Sequence, residues 1–291
     1  MIERPLGPGA PRVPPVGFGG MPLSTAGRPD ESEGVRVIHA ALDAGVRLLD
    51  TADVYCLSDE DLGHNERLMA RALREWNGPR DEVIVATKGG MTRPQGSWDR
   101  NGRPEHLRRA CDRSLLALGV DRIDLYQYHV PDPRVPFAES VGMLAELQQA
   151  GKIRWIGLSN VSVDQVNAAR RHVEVVTVQN RLNPYFREAL TEGVVAHCEN
   201  LGIGFLAYSP VGGGRLNKKL PGHPVVKSIA DRRGVSPHAV VLAWVLEQAS
   251  NVIVIPGGRT VPHVLDSVAA GELRLDPQEM RDLDEAEFDR S

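Results

Sequence analysis

Residues 83–90, VIVATKGG, residues 103–118, RPEHLRRACDRSLLAL, and residues 123–129, IDLYQYH, decide the fold between them. In the middle segment Leu107, Cys111, Leu115 and Leu118 recur at helical spacing with arginines on the opposite side, the pattern of a helix laid over a core. The first flanking run, like several others along the chain, is almost wholly apolar up to Ala86, as parallel strands covered on both faces are. Strand, covering helix, strand is one turn of a βα architecture.

The same rhythm continues outward. Further strand-like runs lie at 48–52 (LLDTA), 153–158 (IRWIGL), 175–178 (VVTV), 204–208 (GFLAY) and 252–255 (VIVI). Phe137, Val141, Leu144 and Ala145 mark another helix, with Gly151 as its stop. Strand ends fall near Gly19, Thr51, Lys88, His129, Asn160, Asn180, Tyr208 and Pro256, spaced as complete βα units require. Eight such units, with no Pro/Gly/Ser linker, predict one domain over residues 1–291, an α/β fold of the (β/α)8 TIM-barrel type. A doubly wound sheet would open on a Gly-rich strand-to-helix turn, and Gly17-Phe18-Gly19-Gly20 is not followed by a helix start in register. The proline-rich segment 4–16 reads as an N-terminal hairpin or plug ahead of the first barrel strand.

Charge narrows the partners. Lysines and arginines number 34 against 38 acids, a net −4 that offers no basic face to nucleic acid or an anionic membrane. The longest apolar run, Ala239 to Leu246, falls far short of the ~18 residues a bilayer requires. Cys56, Cys111 and Cys198 form no CxxC pair, and the first fifteen residues hold an acid and five prolines where a secretory signal needs an apolar core. A reducing, cytoplasmic setting is the expectation. Lysine and tyrosine are scarce, five of each, so either one at a strand end stands out.

In a barrel, the strand ends and the loops after them form the active-site face. Asp50 ends the second strand, Tyr55 lies in the loop that follows, Lys88 ends the third strand and His129 the fourth. Singly, each has an ordinary structural use, but a buried ammonium needs a partner, and Asp50 is the candidate. Together the four suit proton transfer. A phenol with a pKa of about 10 is a weak acid at neutral pH. A nearby ammonium is expected to lower that value, and an aspartate to hold the ammonium charged and fixed. A histidine at the same point can orient a carbonyl oxygen. The phenol then protonates that oxygen as a hydride reaches carbon, and the hydride must come from a cofactor.

At these positions the chain resembles a known family. LLDTADVY (48–55), VATKGG (85–90), LYQYH (125–129), GLSN (157–160) and IPGGR (255–259), in this order and spacing, are similar to the aldo-keto reductases, nicotinamide-dependent barrel oxidoreductases. The similarity runs from Gly17 to about Ala270. It implies that Tyr55 is the general acid, Lys88 and Asp50 its tuning pair, and His129 the substrate-orienting residue. It also implies a cofactor lying across the barrel mouth without a Rossmann domain, bordered by Gly19, Gly20, Met21 and Asp50. Ser159 and Asn160, with Gln179 beside them, would bond the carboxamide, and Tyr208 would stack on the nicotinamide.

Ser209, Pro210, Val211, Gly212 and Gly213 lead into a Gly-rich loop, VGGGRLNKKLPGH (211–223). Small residues there would let backbone N–H groups approach phosphate oxygens, with Arg215 adding charge, although such a loop is also often simply flexible. Ile255, Gly257, Arg259 and Thr260 resemble the family's adenosine-phosphate site, where an arginine and a hydroxyl at a helix N-terminus suit a 2′-phosphate and favour NADPH over NADH. His263, Asp266 and Ser267 depart from that site, since many members carry a basic residue at the first position and a Glu-Asn pair at the other two.

Met21, Val54 and Trp98 are expected to wall the substrate pocket together with Tyr55 and His129; Trp98 stands in a polar loop, MTRPQGSWDRNGR (91–103), long enough to select substrates. The segment 277–291 is short beside the C-terminal loops of members with large pockets, which points to small or medium aldehydes. The glycines after Ser209-Pro210 and the run from Ile255 to His263 resemble pyridoxal reductase-like members. The expected partner is a small-molecule carbonyl substrate, without nucleic acid or membrane, in a monomer or weak homo-oligomer. No HxH pattern calls for a metal. Two other readings stay open: a Schiff-base aldolase with Lys88 as nucleophile, and a slow or non-catalytic NADP(H)-binding sensor.

Overall fold

The computed structural model describes residues 3–291; residues 1 and 2 of the expected 1–291 domain lie outside the described residues. A hairpin of β1 (Arg4–Pro5) and β2 (Arg12–Val13) precedes β3 (Phe18–Gly19), α1 (Glu31–Asp43), β4 (Leu48–Asp50), α2 (His64–Glu75) and β5 (Ile84–Gly89). A second hairpin, β6 (Met91–Thr92) with β7 (Asp99–Arg100), is followed by α3 (Pro104–Leu118), β8 (Ile123–Tyr128) and α4 (Phe137–Gln149). Next come β9 (Ile153–Ser159), α5 (Val163–Ala169), β10 (Val175–Arg181), α6 (Glu188–Thr191), α7 (Val194–Asn200) and β11 (Gly204–Tyr208). The chain ends through α8 (Gly213–Leu216), α9 (Pro224–Arg233), α10 (Pro237–Leu246), β12 (Val252–Ile255), α11 (Val261–Ala269) and α12 (Pro277–Glu285).

Eight parallel strands run β3-β4-β5-β8-β9-β10-β11-β12 in one sheet. The ends of that sheet meet: Gly17 N donates to Val254 O at 2.9 Å, Val254 N to Pro15 O at 3.0 Å and Gly19 N to Pro256 O at 2.9 Å. The expected (β/α)8 barrel is therefore the fold, and strand ends differ from the sequence-based positions by a residue or so. His129, for example, lies one residue past β8, its N–H still on Gly89 O at 2.9 Å.

Alternation along the strands builds two cores. Leu48, Ile84, Ala86, Leu125, Trp155, Leu206 and Ile253 point inward, and Leu6 and Val13 of the first hairpin join them as the expected plug. Gly204 is required where that hairpin crosses β11, because a Cβ there would lie 2.1 Å from Leu6 O. Outward-facing strand residues meet the helices in the larger core. The apolar run of α10 is buried all round, and Trp244 reaches out of it to donate to Asp284 Oδ1 at 2.8 Å. Among the described residues, no helix is long and apolar enough to cross a membrane.

Local signals place the helices over the strands. Asp30 caps α1 by accepting from Glu33 N at 2.8 Å, and Ser162 with Gln165 forms a capping box on α5. Gly119, in the left-handed region at φ +66°, turns the chain out of α3 towards β8.

Candidate active site

Four strand ends converge on one buried ammonium. In β5, Ile84 and Ala86 face inward, so Lys88 does too, one step nearer the mouth; the same parity brings Asp50 of β4 and Gln127 of β8 inward. Lys88 is fully buried and donates to Asp50 Oδ1 at 2.6 Å, Thr51 O at 2.8 Å and Tyr55 Oη at 3.0 Å, which uses all three ammonium protons. The other carboxylate oxygen, Asp50 Oδ2, accepts from Gln179 Nε2 at 2.7 Å and Gln127 Nε2 at 3.3 Å. Thr51 is tied in turn to Asn65 Oδ1 at 2.6 Å, and Asn65 Nδ2 donates to Gly20 O at 2.8 Å. The loop after β3 and the loop after β4 are thereby one unit.

Tyr55 is buried, with its ring 5.9 Å from that of His129 and nearly perpendicular to it. Burial raises the phenol above its usual value; Lys88 pulls it down and Asp50 pushes it up again. The expected net lowering by Lys88 is thus corrected: taking the phenolate out of water outweighs the ammonium beside it. Burial works to lower the Lys88 ammonium too, but Asp50 and Tyr55 more than offset this and it ends raised. Burial, with Lys88 adding to it, holds His129 well below the ordinary imidazole range, so the ring is neutral at physiological pH. Its Nδ1 is buried without a hydrogen-bond partner.

Around this centre lie the other strand-end groups. Asn160, in the left-handed region at φ +57°, donates from Nδ2 to His129 O and to Ser159 Oγ, both at 3.0 Å. Tyr208 Oη donates to Asn160 Oδ1 at 2.8 Å, joining the ends of β9 and β11. Ser209 follows at φ +48°, and Asn183 Nδ2 holds its carbonyl at 2.9 Å. Two non-glycine residues held at positive φ on the same face of a barrel mark a mouth shaped by the surrounding contacts.

The structure brings Asp50, Tyr55, Lys88 and His129 together, with Gln179 against Asp50 and Ser159, Asn160 and Tyr208 in one bonded set. Gly19, Gly20, Met21, Val54, Pro210, Val211, Gly212, Gly213, Ile255 and Gly257 fall on the strand ends or the loops just after them. Arg215 is engaged elsewhere: its Nη2 donates to Arg290 O at 2.5 Å, in the C-terminal segment. Arg259 donates to Pro22 O at 3.1 Å and Ala26 O at 2.7 Å, lying across the loop after β3. Asp266 accepts from Ser236 Oγ at 2.6 Å and Ser267 Oγ donates back to His263 O at 2.9 Å, so both are engaged within their own region. Trp98 is 47% exposed on the β6–β7 hairpin.

Sequence reasoning missed Gln127. Its signal was parity, since Gln127 stands two residues from Leu125 and His129 on the inward face of β8. It also missed Arg93, whose hydrogen bonds to Cys56 O and Leu57 O join residues more than thirty-five positions apart.

A barrel whose mouth holds a buried Lys-Tyr-Asp set beside a neutral histidine defines a class of oxidoreductase, and comparison with known proteins gives the family. The aldo/keto reductase family model matches residues 15–287, and the chain belongs to that family. It is 32% identical to a soybean (Glycine max) protein named "Probable aldo-keto reductase 1", over 94% of this chain and 85% of that one. The glycerol dehydrogenase of Gluconobacter oxydans is 30% identical, with a TM-score of 0.83 over 97% of this chain and 94% of that one. An aldo/keto reductase of Klebsiella pneumoniae, solved with NADP and acetate, is 26% identical, with a TM-score of 0.81 over 98% and 95% of the two chains.

Proposed function

We propose that this chain is an NADPH-dependent reductase of aldehyde and ketone carbonyls in which Tyr55 is the general acid. One observation carries the reading: the fully buried Lys88 ammonium spends one proton on Tyr55 Oη and one on Asp50 Oδ1. Because the phenol oxygen accepts from Lys88, its own proton is left to point elsewhere, and a carbonyl oxygen at the mouth can receive it. Neutral His129 can donate to that same oxygen and hold it within reach of the phenol. As the proton leaves, the Lys88 ammonium stabilises the phenolate, and Asp50, braced by Gln127 and Gln179, keeps the ammonium fixed.

The mouth fits a nicotinamide cofactor. Gln179 commits its Nε2 to Asp50, and among the described residues its Oε1 has no protein partner; with Ser159 and Asn160 it supplies the donors and acceptors of a carboxamide site. No neighbouring atom crowds Gly214, so the loop after β11 leaves room there for a phosphate. Thr260 leads into α11 without capping it by side chain and the first turn holds no acid, which suits a 2′-phosphate near Arg259. When bound, NADPH supplies the hydride that the side chains cannot.

Small and medium aldehydes, pyridoxal among them, are the proposed substrates, supported by a mouth at which Met21 and Trp98 remain partly exposed. A Schiff base on Lys88 is disfavoured, because all three of its protons are engaged and its pKa is raised, which leaves no free amine pair. All four groups belong to one chain, so the reading requires no second subunit.

Tyr55→Phe tests it. The kcat for NADPH-dependent reduction of 4-nitrobenzaldehyde or pyridoxal is expected to fall on the order of 10²-fold or more. A kcat within threefold of the wild type would remove Tyr55 as the acid.

A further inference from the structure

Behind the substrate side of the mouth lies a guanidinium that the proposed chemistry leaves unused. Arg93 follows β6 and is 7% exposed, although arginine is rarely buried without a carboxylate. Its Nη2 donates to Cys56 O at 3.2 Å and Leu57 O at 3.1 Å, the two carbonyls immediately after Tyr55. Its guanidinium carbon lies 3.9 Å from the centre of the Trp98 ring. Its own carbonyl accepts from Asp59 N at 3.0 Å and Gly96 N at 3.1 Å. The remaining donors, Nε and Nη1, are buried with no hydrogen-bond partner.

We propose that Arg93 is a positioning residue that couples Trp98, on the substrate side, to the loop that carries Tyr55. This inference rests on the reading of Tyr55 as the acid.

The argument is one of incomplete compensation. A buried cation loses its hydration, and here two carbonyls and one indole face replace it. With the three N–H donors of Nε and Nη1 already unpaired, none of these contacts is spare. Shifting Trp98 rehydrates the guanidinium and weakens its hold on Cys56 O and Leu57 O. Loosening that hold frees the backbone next to Tyr55, whose own restraints are its N–H on Ala52 O at 3.1 Å and its phenol on Lys88. A substrate that seats against Trp98 without displacing it therefore keeps the acid in place. One that pushes the indole aside loses both the contact and the alignment. The chain would discriminate between aldehydes in kcat as well as in KM, and misplacement of a reacting group by about 1 Å can cost 10²-fold.

A double-mutant cycle with Arg93→Lys and Trp98→Ala separates coupling from two independent roles. Lysine keeps the charge but offers neither a flat face nor two donors in a fixed fork. Each single variant is expected to lower kcat for 4-nitrobenzaldehyde about tenfold, with NADPH affinity by fluorescence titration unchanged. The double variant should be no worse than the poorer single one. Losses that multiply, or an Arg93→Lys variant that shifts only Tm and leaves kcat within twofold, would overturn the coupling. Should Arg93→Ala fail to fold, Arg93→Lys still decides the question. Tyr55→Phe, assayed alongside, keeps the two ideas apart: a normal Tyr55→Phe defeats the acid reading, whereas a crippled one with multiplying losses defeats the coupling alone.

Discussion

At the scale of single residues, the two groups proposed to meet the substrate oxygen, Tyr55 and His129, are held in the protonation states that carbonyl reduction would use. Burial, against the pull of Lys88, keeps the Tyr55 phenol protonated beyond its ordinary value of 10.0. Burial and then Lys88 push the His129 imidazole well below 6.5. Neither group titrates through the neutral range, so kcat/KM for carbonyl reduction is expected to stay level from about pH 7 to 9 and to decline only in more alkaline solution. A steady-state profile with a limb near pH 6.5 that vanishes in His129→Asn would show the imidazole ionising there and refute this. The positions of the four groups were legible, because a scarce Lys and a lone His stood at strand ends and a scarce Tyr in the loop after Asp50. The sign of the Tyr55 shift was not, because proximity to Lys88 can be inferred from the motif order but the depth of burial cannot.

At the scale of elements, the loop after β11 is held from outside the barrel. Phe288 stacks on His223 at 4.1 Å and meets Tyr185 edge-on at 5.2 Å. Lys219 donates to Ser291 O at 2.5 Å, Arg215 to Arg290 O at 2.5 Å, and Arg290 itself donates to Tyr185 O at 2.5 Å. Residues 287–291 thus clasp the Gly-rich segment proposed to cover the cofactor phosphates. Deleting them is expected to speed NADPH dissociation several-fold in stopped-flow experiments and to make 211–223 accessible to protease, since the order of a covering loop governs release. Wild-type dissociation with an uncut loop would show that the clasp does not restrain it. The loop itself was legible from its glycines; its clasp joins residues some seventy positions apart and leaves no local pattern. β10 shows a related limit. Its register shifts between Val175 and Thr177, so Val176 faces the lower interior while Gln179 faces the mouth, and simple alternation from Val176 would turn Gln179 outward.

At the scale of the whole molecule, stability against pH is set by carboxyls buried on the outer side of the barrel wall. Asp53 has no close hydrogen bond on either oxygen, and only the Val54 N–H and Arg113, at 3.5 Å, offset its burial. Glu66 accepts from Thr87 Oγ1 at 2.6 Å and leaves its other oxygen unpartnered. Burial, and then Glu66, pushes Asp53 well above its usual 3.8, and burial raises Glu66 above 4.5. Glu66 stands at helical spacing from Met69 and Leu73 on the buried stripe of α2, but the sequence reading singled out neither it nor Asp53, because their burial depends on how α2 packs. A carboxyl whose folded pKa is raised contributes stability that is present below its unfolded pKa and is lost as pH rises through the folded one. The opposite holds for Asp132 and Glu279, kept at about 2 chiefly by Arg134 and Arg233, whose contribution is lost as pH falls through that value. Asp53 and Glu66 weaken the molecule towards the alkaline side, while His129, His64 and His106, held below 6.5 chiefly by burial, weaken it as pH falls through that value, so stability is expected to peak between the two ranges. Asp53→Asn removes the ionisation that Arg113, 40% exposed, only partly compensates. Its Tm is expected to equal or fall below that of the wild type at about pH 5 and to exceed it at about pH 8.5. The two pH values share every packing change the substitution makes, so an identical Tm difference at both would mean that Asp53 is already ionised in the folded protein and that its burial is compensated by more than Arg113.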